Sequence, residues 1–504
     1  MPKSSSSLTL ASIPLDRSSA RPLHRQLYDR LREGILSGQL RPGFRLPPTR
    51  TLADELGVSR NTVLTAFDEL LAEGCIEGKV GSGTYVSPGL PADILSKRKA
   101  VPQPRPGPRP RISRRGRFVT DHLKESWPPG STSWPYVFRA GLPAFDAFPY
   151  RQWKRLVARH WHRPPQEILY QREVPDYPPL RRAVADYLRA ARGVRCDPEQ
   201  VLFLTGAQQA IDLVARVLLD PGDPVWVEDP GYVGGRNTLK AVGLKLVPVN
   251  VDEEGLCVDA GIKRCPNGRL ACVTPSFQFP LGVTMSLARR LKLLDWAERA
   301  RSWVLEDDYY SELRYVGPPL PALQGLDIHG RVIYLGTFTK VLLPLINLAY
   351  LVVPAGLLDT FQSAHRLSGR RACIEQAALA DFIGEGHFAR HIRRMRSLYV
   401  ERQAAFVEAA ERELAGLLEV RRSDCGMHLM GWLPPGVDDI MAESAARRQG
   451  VETSALSRQY VRRCRRGGLI LGYTAFTPSQ IREGVERLAK GLSELAPHLH
   501  FGSR

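Results

Sequence analysis

Residues 96–117 form a basic, proline-rich run that a single folded core cannot contain. The run is SKRKAVPQPRPGPRPRISRRGR, which alternates proline with arginine and has neither an acidic residue nor a hydrophobic periodicity. Such a composition stays exposed and predicts a linker. The 504 residues also exceed one core, since a domain usually takes roughly 100 to 200 residues. We therefore expect a small domain at residues 15–90, a Pro/Arg-rich flexible linker at 91–134 and a large domain at 135–498.

The overall charge favours a polyanionic partner. The chain has 70 Lys and Arg against 52 Asp and Glu, a net charge of +18, which suits nucleic acid or a membrane surface. The first residues lack the apolar core of a signal peptide, and no apolar stretch reaches the roughly 18 residues of a membrane-spanning helix. The eight cysteines show neither paired nor zinc-ligand spacing, as is typical of reduced core residues. The sequence thus predicts a cytoplasmic protein without a metal site.

Three helical patterns and a hairpin pattern precede the linker. In RPLHRQLYDRLREGILSG the apolar residues recur four apart and form one helical stripe. TRTLADELG predicts a second, short helix that Gly57 ends, and Ser59 is placed to cap a third helix, RNTVLTAFDELLAEG. Two helices joined by a glycine-containing turn have helix-turn-helix spacing, and CIEGKVGSGTYV has the pattern of a β-hairpin. Helix-turn-helix spacing also occurs in ordinary bundles, but the complete order predicts a winged helix.

This region resembles the GntR-type winged-helix regulators. The resemblance lies in LPPTRTLADELGVSRNTVLTAFDELLAEG followed by GSGTYV and covers most of residues 20–87. It implies that double-stranded operator DNA is the partner, with the third helix in the major groove and the wing at the backbone or minor groove. The DNA-binding residues that the resemblance implies are Arg50, Ser59, Arg60, Asn61, Thr62, Gly81, Ser82, Gly83 and Thr84.

Strand-like and helical runs alternate beyond residue 135. VLFLT is followed by AQQAIDLVARVLL and PVWVED, and later RLACVTP by SLARRLKLLDWAERA and SWVLEDDY. This alternation predicts an α/β domain with a mostly parallel sheet covered by helices. Ligands of such sheets bind beyond the carboxyl ends of the strands. The polar clusters TGAQQ, EDPGY, EDDYY and GTFTK end these runs, so we expect them to converge on one site.

Lys340 is the most unusual residue of these clusters, because it interrupts the apolar, strand-like run LGTFTKVLLPLINLAYLV at 335–352. A lysine in apolar surroundings has a lowered pKa and can add to an aldehyde as a Schiff base. Asp307, in LEDDYY, is costly to bury unless a cation compensates its charge, and a pyridinium nitrogen would do so. The backbone of TGAQQA suits a phosphate, through Gly206, Ala207 and Gln208. Together these groups indicate pyridoxal 5'-phosphate.

Residues 135–495 resemble the fold-type I aminotransferases, joined to a GntR-type head as in the MocR regulators. The resemblance is carried by TGAQQAIDL, VWVEDPGY, VTPSFQFPLGVTMS, LEDDYYSELRY, LPALQGLD, VIYLGTFTK and EGHFARHIRRMR. It implies an α/β architecture in which a winged helix-turn-helix is joined by the linker to an aminotransferase-like domain that binds the cofactor. The implied roles are the Schiff-base lysine for Lys340, ring-nitrogen pairing for Asp307, ring-hydroxyl bonding for Tyr309, ring stacking for Tyr232, and contacts near the phosphate for Thr337 and Thr339.

Three positions depart from the aminotransferase pattern. After the lysine the family has K...P..R.GY, whereas KVLLPLINLAY places Asn347 where an arginine normally holds the phosphate. Asp176 replaces a glycine expected near the substrate side of the pocket, which predicts an unusual ligand preference. GGLILGYTAFTPSQ, the late region that usually supplies the arginine for a substrate carboxylate, contains no arginine. Ordinary amino-acid transamination is therefore not expected.

The favoured hypothesis is a DNA-binding transcriptional regulator, a homodimer, whose aminotransferase-like domain binds pyridoxal 5'-phosphate and senses an amine or amino acid. Exchange of the effector amine for Lys340 would then change how the heads sit on DNA. Two alternatives stay open at this point. One is a working aminotransferase with an appended DNA-binding head, and the other is a regulator that has lost the cofactor, which Asn347 would favour.

Overall fold

A computed structural model describes residues 13–79, 81–88, 111–126, 137–169, 176–317, 320–368 and 374–495. The chain divides into two compact units, Met1–Arg111 and Ile112–Arg504. The division falls inside the segment predicted as a linker. No helix within the described ranges combines the length and the apolar composition needed to cross a membrane.

The first unit is a winged helix, as the sequence predicted. Its elements are α1 Leu23–Leu36, α2 Thr49–Leu56, α3 Arg60–Ala72, β1 Ile76–Lys79 and β2 Gly83–Val86. Helix α2 ends at Gly57, whose φ of 61° lies in the left-handed region that glycine adopts without strain. Ser59 caps α3, its Oγ accepting from the Thr62 backbone N at 3.1 Å. The apolar faces of the helices meet in one core together with Val86 of the hairpin.

The predicted linker is partly helical. Helix α4, Arg114–Ser126, lies within residues 91–134 and against α9, Val233–Val242, in the second unit. Residues 91–110 and 127–134 of the predicted linker lie outside the described ranges. Part of the segment predicted as a flexible linker, Arg114–Ser126, is thus helical. Proline is confined to the part of the run before Arg111, so nothing in RRGRFVTDHLKES prevents helical hydrogen bonding.

The second unit contains two sheets with helices around them. Its further helices are α5 Tyr150–His162, α6 Gln166–Leu169, α7 Pro178–Arg192, α8 Gly206–Leu218, α10 Val258–Arg264, α11 Leu287–Arg299, α12 Leu323–Leu326, α13 Leu358–Leu367, α14 Ile374–Gly384, α15 His387–Glu413, α16 Asp439–Arg448 and α17 Pro478–Ser493. Its strands are β3 Val201–Leu204, β4 Pro224–Asp229, β5 Lys245–Asp252, β6 Gly255–Leu256, β7 Leu270–Val273, β8 Trp303–Asp308, β9 Val332–Thr337, β10 Ala349–Val352, β11 Glu419–Val420, β12 His428–Trp432, β13 Ser454–Ala455 and β14 Gly468–Gly472.

The larger sheet has the order β3-β10-β9-β8-β7-β4-β5-β6. The pairs β5-β4, β4-β7, β7-β8 and β8-β9 are parallel, whereas β10 is antiparallel to both β9 and β3. Strand β3 consequently runs in the direction of β9, and the carboxyl ends of β3, β4, β8 and β9 share one edge. Apolar clusters cover both faces, which is why these strands are almost continuously apolar.

The run 335–352 is not one strand. It forms the end of β9, a loop, and β10, with Ala349 paired to Thr337. The backbone N of Phe338 donates to Leu348 O at 2.8 Å and closes the loop. Lys340 therefore lies in a turn at the edge of the sheet rather than inside a strand.

The smaller sheet, β11-β12-β14-β13, is antiparallel, and α15, α16 and α17 pack around it. The segment 137–141 crosses its edge: Gly472 N donates to Phe138 O and Glu452 N donates to Val137 O, both at 2.8 Å. A Cβ on Gly472 would lie 2.2 Å from Arg139 O, so only glycine permits this approach. The segment 137–141 thereby reaches the larger sheet's ligand edge.

Candidate functional site

A cavity of about 480 Å³ lies where the carboxyl ends of β3, β8 and β9 meet. The polar clusters that end the strands, TGAQQ, EDPGY, EDDYY and GTFTK, all contribute to it. Its wall consists of Ala140, Gly141, Thr205, Gly206, Ala207, Gln208, Tyr232, Thr274, Phe279, Asp307, Tyr309, Tyr310, Thr337, Thr339, Lys340 and Asn347. Every cofactor-binding residue named from the sequence is in this set, so the structure brings the whole predicted group together.

Lys340 enters the cavity from the turn after β9. Its Nζ lies 3.4 Å from Gly141 O, to which it donates a hydrogen bond, and a Cβ on Gly141 would lie only 2.7 Å from that nitrogen. Burial lowers the pKa of Lys340, the Asp307 carboxylate partly offsets this, and Arg139 lowers it further. The uncharged, nucleophilic form of the amine is therefore more accessible than in an exposed lysine.

Asp307 differs from the two carboxylates beside it in having no hydrogen-bond partner among the described residues. Glu306 accepts from the backbone N of Leu323 and of Gln324, both at 2.8 Å. Asp308 accepts from Arg192 and from the Tyr334 hydroxyl, both at 2.7 Å. Alternation along β8 turns these two away from the cavity and Asp307 towards it.

The charge of Asp307 is poorly compensated. Burial raises its pKa to about 7, the charges of Asp308 and Glu228 add to the increase, and Lys340 opposes it. Lys340 and Asp307 influence each other's pKa without a hydrogen bond between them. Both line the cavity, so the space between them is available to a ligand that meets the amine on one side and the carboxylate on the other.

Two hydroxyl groups at the cavity are buried without a hydrogen-bond partner, namely Tyr309 Oη and Thr339 Oγ1. Buried hydroxyls are normally paired, because leaving one unpaired costs about 1–3 kcal/mol. The neighbouring Thr337 hydroxyl is used within the turn instead, accepting from Thr339 N at 3.2 Å and donating to Leu348 O at 3.4 Å. Tyr309 and Thr339 are therefore the hydroxyls that need a ligand.

The start of α8 forms a cradle suited to an anion. Gly206 has φ +80°, and the first N–H groups of the helix, including those of Ala207 and Gln208, point out of its N-terminus. Asn347 faces the same point: its Oδ1 would lie 2.9 Å from a Cβ on Gly206. The Asn347 backbone is itself left-handed, with φ 35° and ψ 49°. An amide thus stands beside the cradle where the aminotransferase pattern has an arginine.

Tyr232 is 40% exposed, and its ring lies edge-on to Phe279 with the centroids 6.2 Å apart. The loop carrying it is attached to the connection between β13 and β14. Buried Asp229 accepts from Val461 N at 2.7 Å and from Arg462 Nε at 3.1 Å, and Gly231 N donates to Gln459 O at 3.0 Å. The sequence did not reveal this attachment, because the partners are more than 220 residues apart.

Several wall residues were missed from the sequence. Thr274 and Phe279 lie in VTPSFQFPLGVTMS, directly after β7, so the rule used for the other strand ends would have found Thr274. Tyr310 follows Tyr309 in EDDYY. Ala140 and Gly141 had no local signal, since only the crossing of segment 137–141 over the smaller sheet brings them to the cavity.

Asp176 does not lie where the aminotransferase pattern placed it, near the substrate side of the pocket. This residue is absent from the cavity wall and is buried, with 1% of its surface exposed. It pairs with Arg181 at 3.1 Å and accepts from Phe203 N at 3.3 Å. The carboxylate compensates a buried arginine and ties α7 to β3, which gives it a structural role.

In the winged helix, the side chains named for DNA contact are mostly at the surface. Arg50, Arg60 and Asn61 are exposed, as are Gly81, Ser82 and Gly83 at the tip of the hairpin, whereas Thr62 and Thr84 are half-buried. Ser59 is exposed but uses its hydroxyl for the α3 cap, and Thr62 Oγ1 lies 2.9 Å from the same atom. Arg60 and Asn61 are thus presented in the first turn of α3, the position from which a recognition helix contacts base edges.

A winged helix joined to a domain with an aminotransferase-type cavity defines a class of transcriptional regulators. Comparison with known proteins agrees. "Bacterial regulatory proteins, gntR family" matches residues 23–86 and "Aminotransferase class I and II" matches residues 172–488. The chain belongs to these families and is a MocR-type regulator. Members of the aminotransferase family depend on pyridoxal 5'-phosphate, and the gntR-type domain implies DNA binding.

Similarity to individual proteins extends over nearly the whole chain. The chain is 45% identical to the probable rhizopine catabolism regulatory protein MocR of Rhizobium meliloti, covering 94% of both chains. It is 30% identical to the pyridoxine biosynthesis transcriptional regulator PdxR of Corynebacterium glutamicum, covering 96% of this chain and 99% of that one. The structure of LysN, the α-aminoadipate aminotransferase of Thermus thermophilus, matches 77% of this chain and 98% of its own with a TM-score of 0.68 and 29% identity.

Proposed function

We propose that the aminotransferase-like unit of this regulator binds pyridoxal 5'-phosphate through Lys340, and that an amine or amino acid entering the same cavity changes DNA binding by the winged helix. The observation that carries the proposal is one cavity with an amine, a separate carboxylate and two buried hydroxyls without partners. The aldehyde of pyridoxal 5'-phosphate can meet the amine, and its ring nitrogen can meet the carboxylate. Its ring hydroxyl and its phosphate can meet the two hydroxyls.

Each part of the site has a definable task. Lys340 holds the aldehyde carbon, Asp307 pairs with the ring nitrogen, and Tyr309 bonds the ring hydroxyl. The first turn of α8 and Thr339 hold the phosphate, and Tyr232 packs on the ring. When bound, the cofactor supplies a carbonyl carbon that exchanges one amine for another. The protein supplies a lysine whose pKa is lowered by burial and a buried carboxyl that would face the ring nitrogen.

The first experiment is an absorption titration of the purified full chain with the cofactor. The native protein should develop a visible band that borohydride bleaches, whereas Lys340→Ala should not. Lys245→Ala, at an exposed lysine, is the matched control and should behave as the native chain. Native protein without any band, but still binding DNA, would refute the proposal in favour of a cofactor-free regulator. Steady turnover of an amino donor with a keto acid would instead identify a working aminotransferase.

For the winged helix, we propose that Arg60 reads a base and that the chain acts as a homodimer on its operator. A base contact is worth about 1–3 kcal/mol of discrimination, so Arg60→Ala should weaken operator binding more than binding to random DNA. Arg30→Ala, an exposed arginine paired with Glu33 in α1, controls for the loss of one positive charge. Equal losses on both DNAs would reassign Arg60 to a phosphate contact.

A further inference from the structure

The wall of the cavity beside β14 is apolar. Ile470, in the middle of β14, is 1% exposed and packs with Met430 and Leu456 in a small hydrophobic cluster. Ala140 and Phe279 pack against this cluster and also line the cavity. The strand in which an aminotransferase usually carries its carboxylate-binding arginine thus has an apolar side chain behind the wall residues Ala140 and Phe279.

No other cation replaces that arginine among the described residues of the cavity wall. The charged side chains there are Lys340 and Asp307, and the proposed function assigns both to the cofactor. Arg139 adjoins the wall residue Ala140 and its charge acts on Lys340, but its side chain is about half exposed, does not line the cavity and lies 3.8 Å from Glu452. Arg402 is 2% exposed, pairs with Asp146 at 2.6 Å and donates to Thr474 O at 2.5 Å.

The wall residues that the cofactor does not use are neutral. They face the body of an effector, meaning the part of the molecule other than its amine. Tyr310, Thr205 and Gln208 offer hydroxyl and amide groups, and Phe279 offers an apolar face. Such a surface suits a neutral body, whether hydroxylated or apolar. A carboxylate would have to give up its hydration here without a charged partner, which is unfavourable.

We infer that the effector of this regulator is a primary amine that carries no carboxylate. This inference rests on the proposed function, since it assumes that the effector exchanges with Lys340 on the bound cofactor. A buried polar group that finds no partner costs about 1–3 kcal/mol, and a charged group costs more, so an amino acid should bind at least roughly ten times more weakly than the amine that lacks only its carboxylate.

The test compares compounds that differ only in the carboxylate, on the native, cofactor-loaded full chain. Ethylamine, alaninamide and alanine form one series, and tyramine, tyrosinamide and tyrosine form another. The amides retain the bulk of the carboxyl group without its charge. The readouts are the change in the cofactor absorption band and the change in affinity for operator DNA. We expect the amine and the amide of a series to act at similar concentrations, and the amino acid only at concentrations ten or more times higher.

An amino acid that acts at the same concentration as its amine would overturn the inference, and so would failure of every amine to change the band. The first result would mean that a cation from a second copy, or from outside the described residues, reaches the cavity. Either result leaves the proposed binding of the cofactor through Lys340 standing, provided that the cofactor band forms and requires Lys340. Absence of the band refutes the proposed function itself.

A variant tests the same point in the opposite direction. Ile470→Arg places a cation in the strand behind Ala140 and Phe279. In this variant the ratio of the effective concentration of alanine to that of ethylamine should fall by about tenfold or more. Ile470→Met keeps the site apolar and should retain the native preference. A retained cofactor band shows that a variant is folded. A folded Ile470→Arg chain that still discriminates against alanine as strongly as the native chain would contradict the assignment of the apolar wall.

Discussion

Substitution of Asn347 by arginine tests the phosphate cradle most directly. Asn347 stands beside Gly206 at the start of α8, so a longer, charged side chain there is within reach of an anion held by the helix N-terminus. A charge-assisted hydrogen bond contributes about 1.5–3 kcal/mol, which corresponds to a cofactor dissociation constant roughly ten to a hundred times lower.

The same substitution should destabilise the cofactor-free fold. Asn347 has φ 35° and ψ 49°, a left-handed conformation that asparagine tolerates and that costs most other residues about 1–2 kcal/mol. Because this strain arises on folding, it should lower the free energy of unfolding by about 1–2 kcal/mol without cancelling the gain on binding. The two effects of Asn347→Arg therefore have opposite signs and are measured separately.

The assays are an absorption titration with cofactor and urea unfolding of the cofactor-free chain. Asn347→Gly is the matched control: it removes the amide and relieves the backbone, so it should bind cofactor more weakly than the native chain. Binding by folded Asn347→Arg that is no tighter than native binding would refute the cradle. Unchanged stability of that variant would refute the argument from backbone strain.

Three further predictions concern stability and cofactor binding. Burial raises the pKa of Asp307 to about 7, so its ionisation destabilises the cofactor-free fold as pH rises from 4; urea unfolding of Asp307→Asn should show a gain over the native chain at pH 8 and none at pH 4. Asp229→Asn should weaken cofactor binding in the absorption titration, because it loosens the loop that carries Tyr232. Gly57→Ala should lower the stability of the winged helix by about 1 kcal/mol in thermal unfolding, whereas Gly78→Ala, where a Cβ meets no atom within 4 Å, should cost less.

The winged helix was predictable because its signals are local. Gly57 ends α2 and Ser59 caps α3 through atoms within a few residues of each other, so the sequence contains both partners of each interaction. The glycines of the hairpin likewise predict a turn at their own position in the sequence. The DNA-facing roles of Arg60 and its neighbours stay predictions, since no contact within the chain depends on them.

The cavity was predictable for a different reason. Parallel strands place their carboxyl ends at one edge, so polar clusters after β3, β4, β8 and β9 had to meet once the strands were identified. Lys340 and Asp307 came from that rule together with the cost of burying charge. The helix α4 and the role of Asp176 could not be obtained in this way, because linker composition and a one-residue departure from a pattern say nothing about packing partners.

The sequence by itself determined which groups line the cavity: an amine, a carboxylate, hydroxyls and a helix N-terminus, each close to the end of a strand. Only the tertiary structure decided how these groups are spaced and what surrounds them. It keeps Lys340 and Asp307 from bonding to each other, brings Gly141 across from the smaller sheet, and sets Ile470 behind the wall. The physical reason is that strand ends and side-chain types can be recognised from short stretches of sequence. The polarity of a cavity depends instead on segments hundreds of residues apart, which meet only when both sheets have packed.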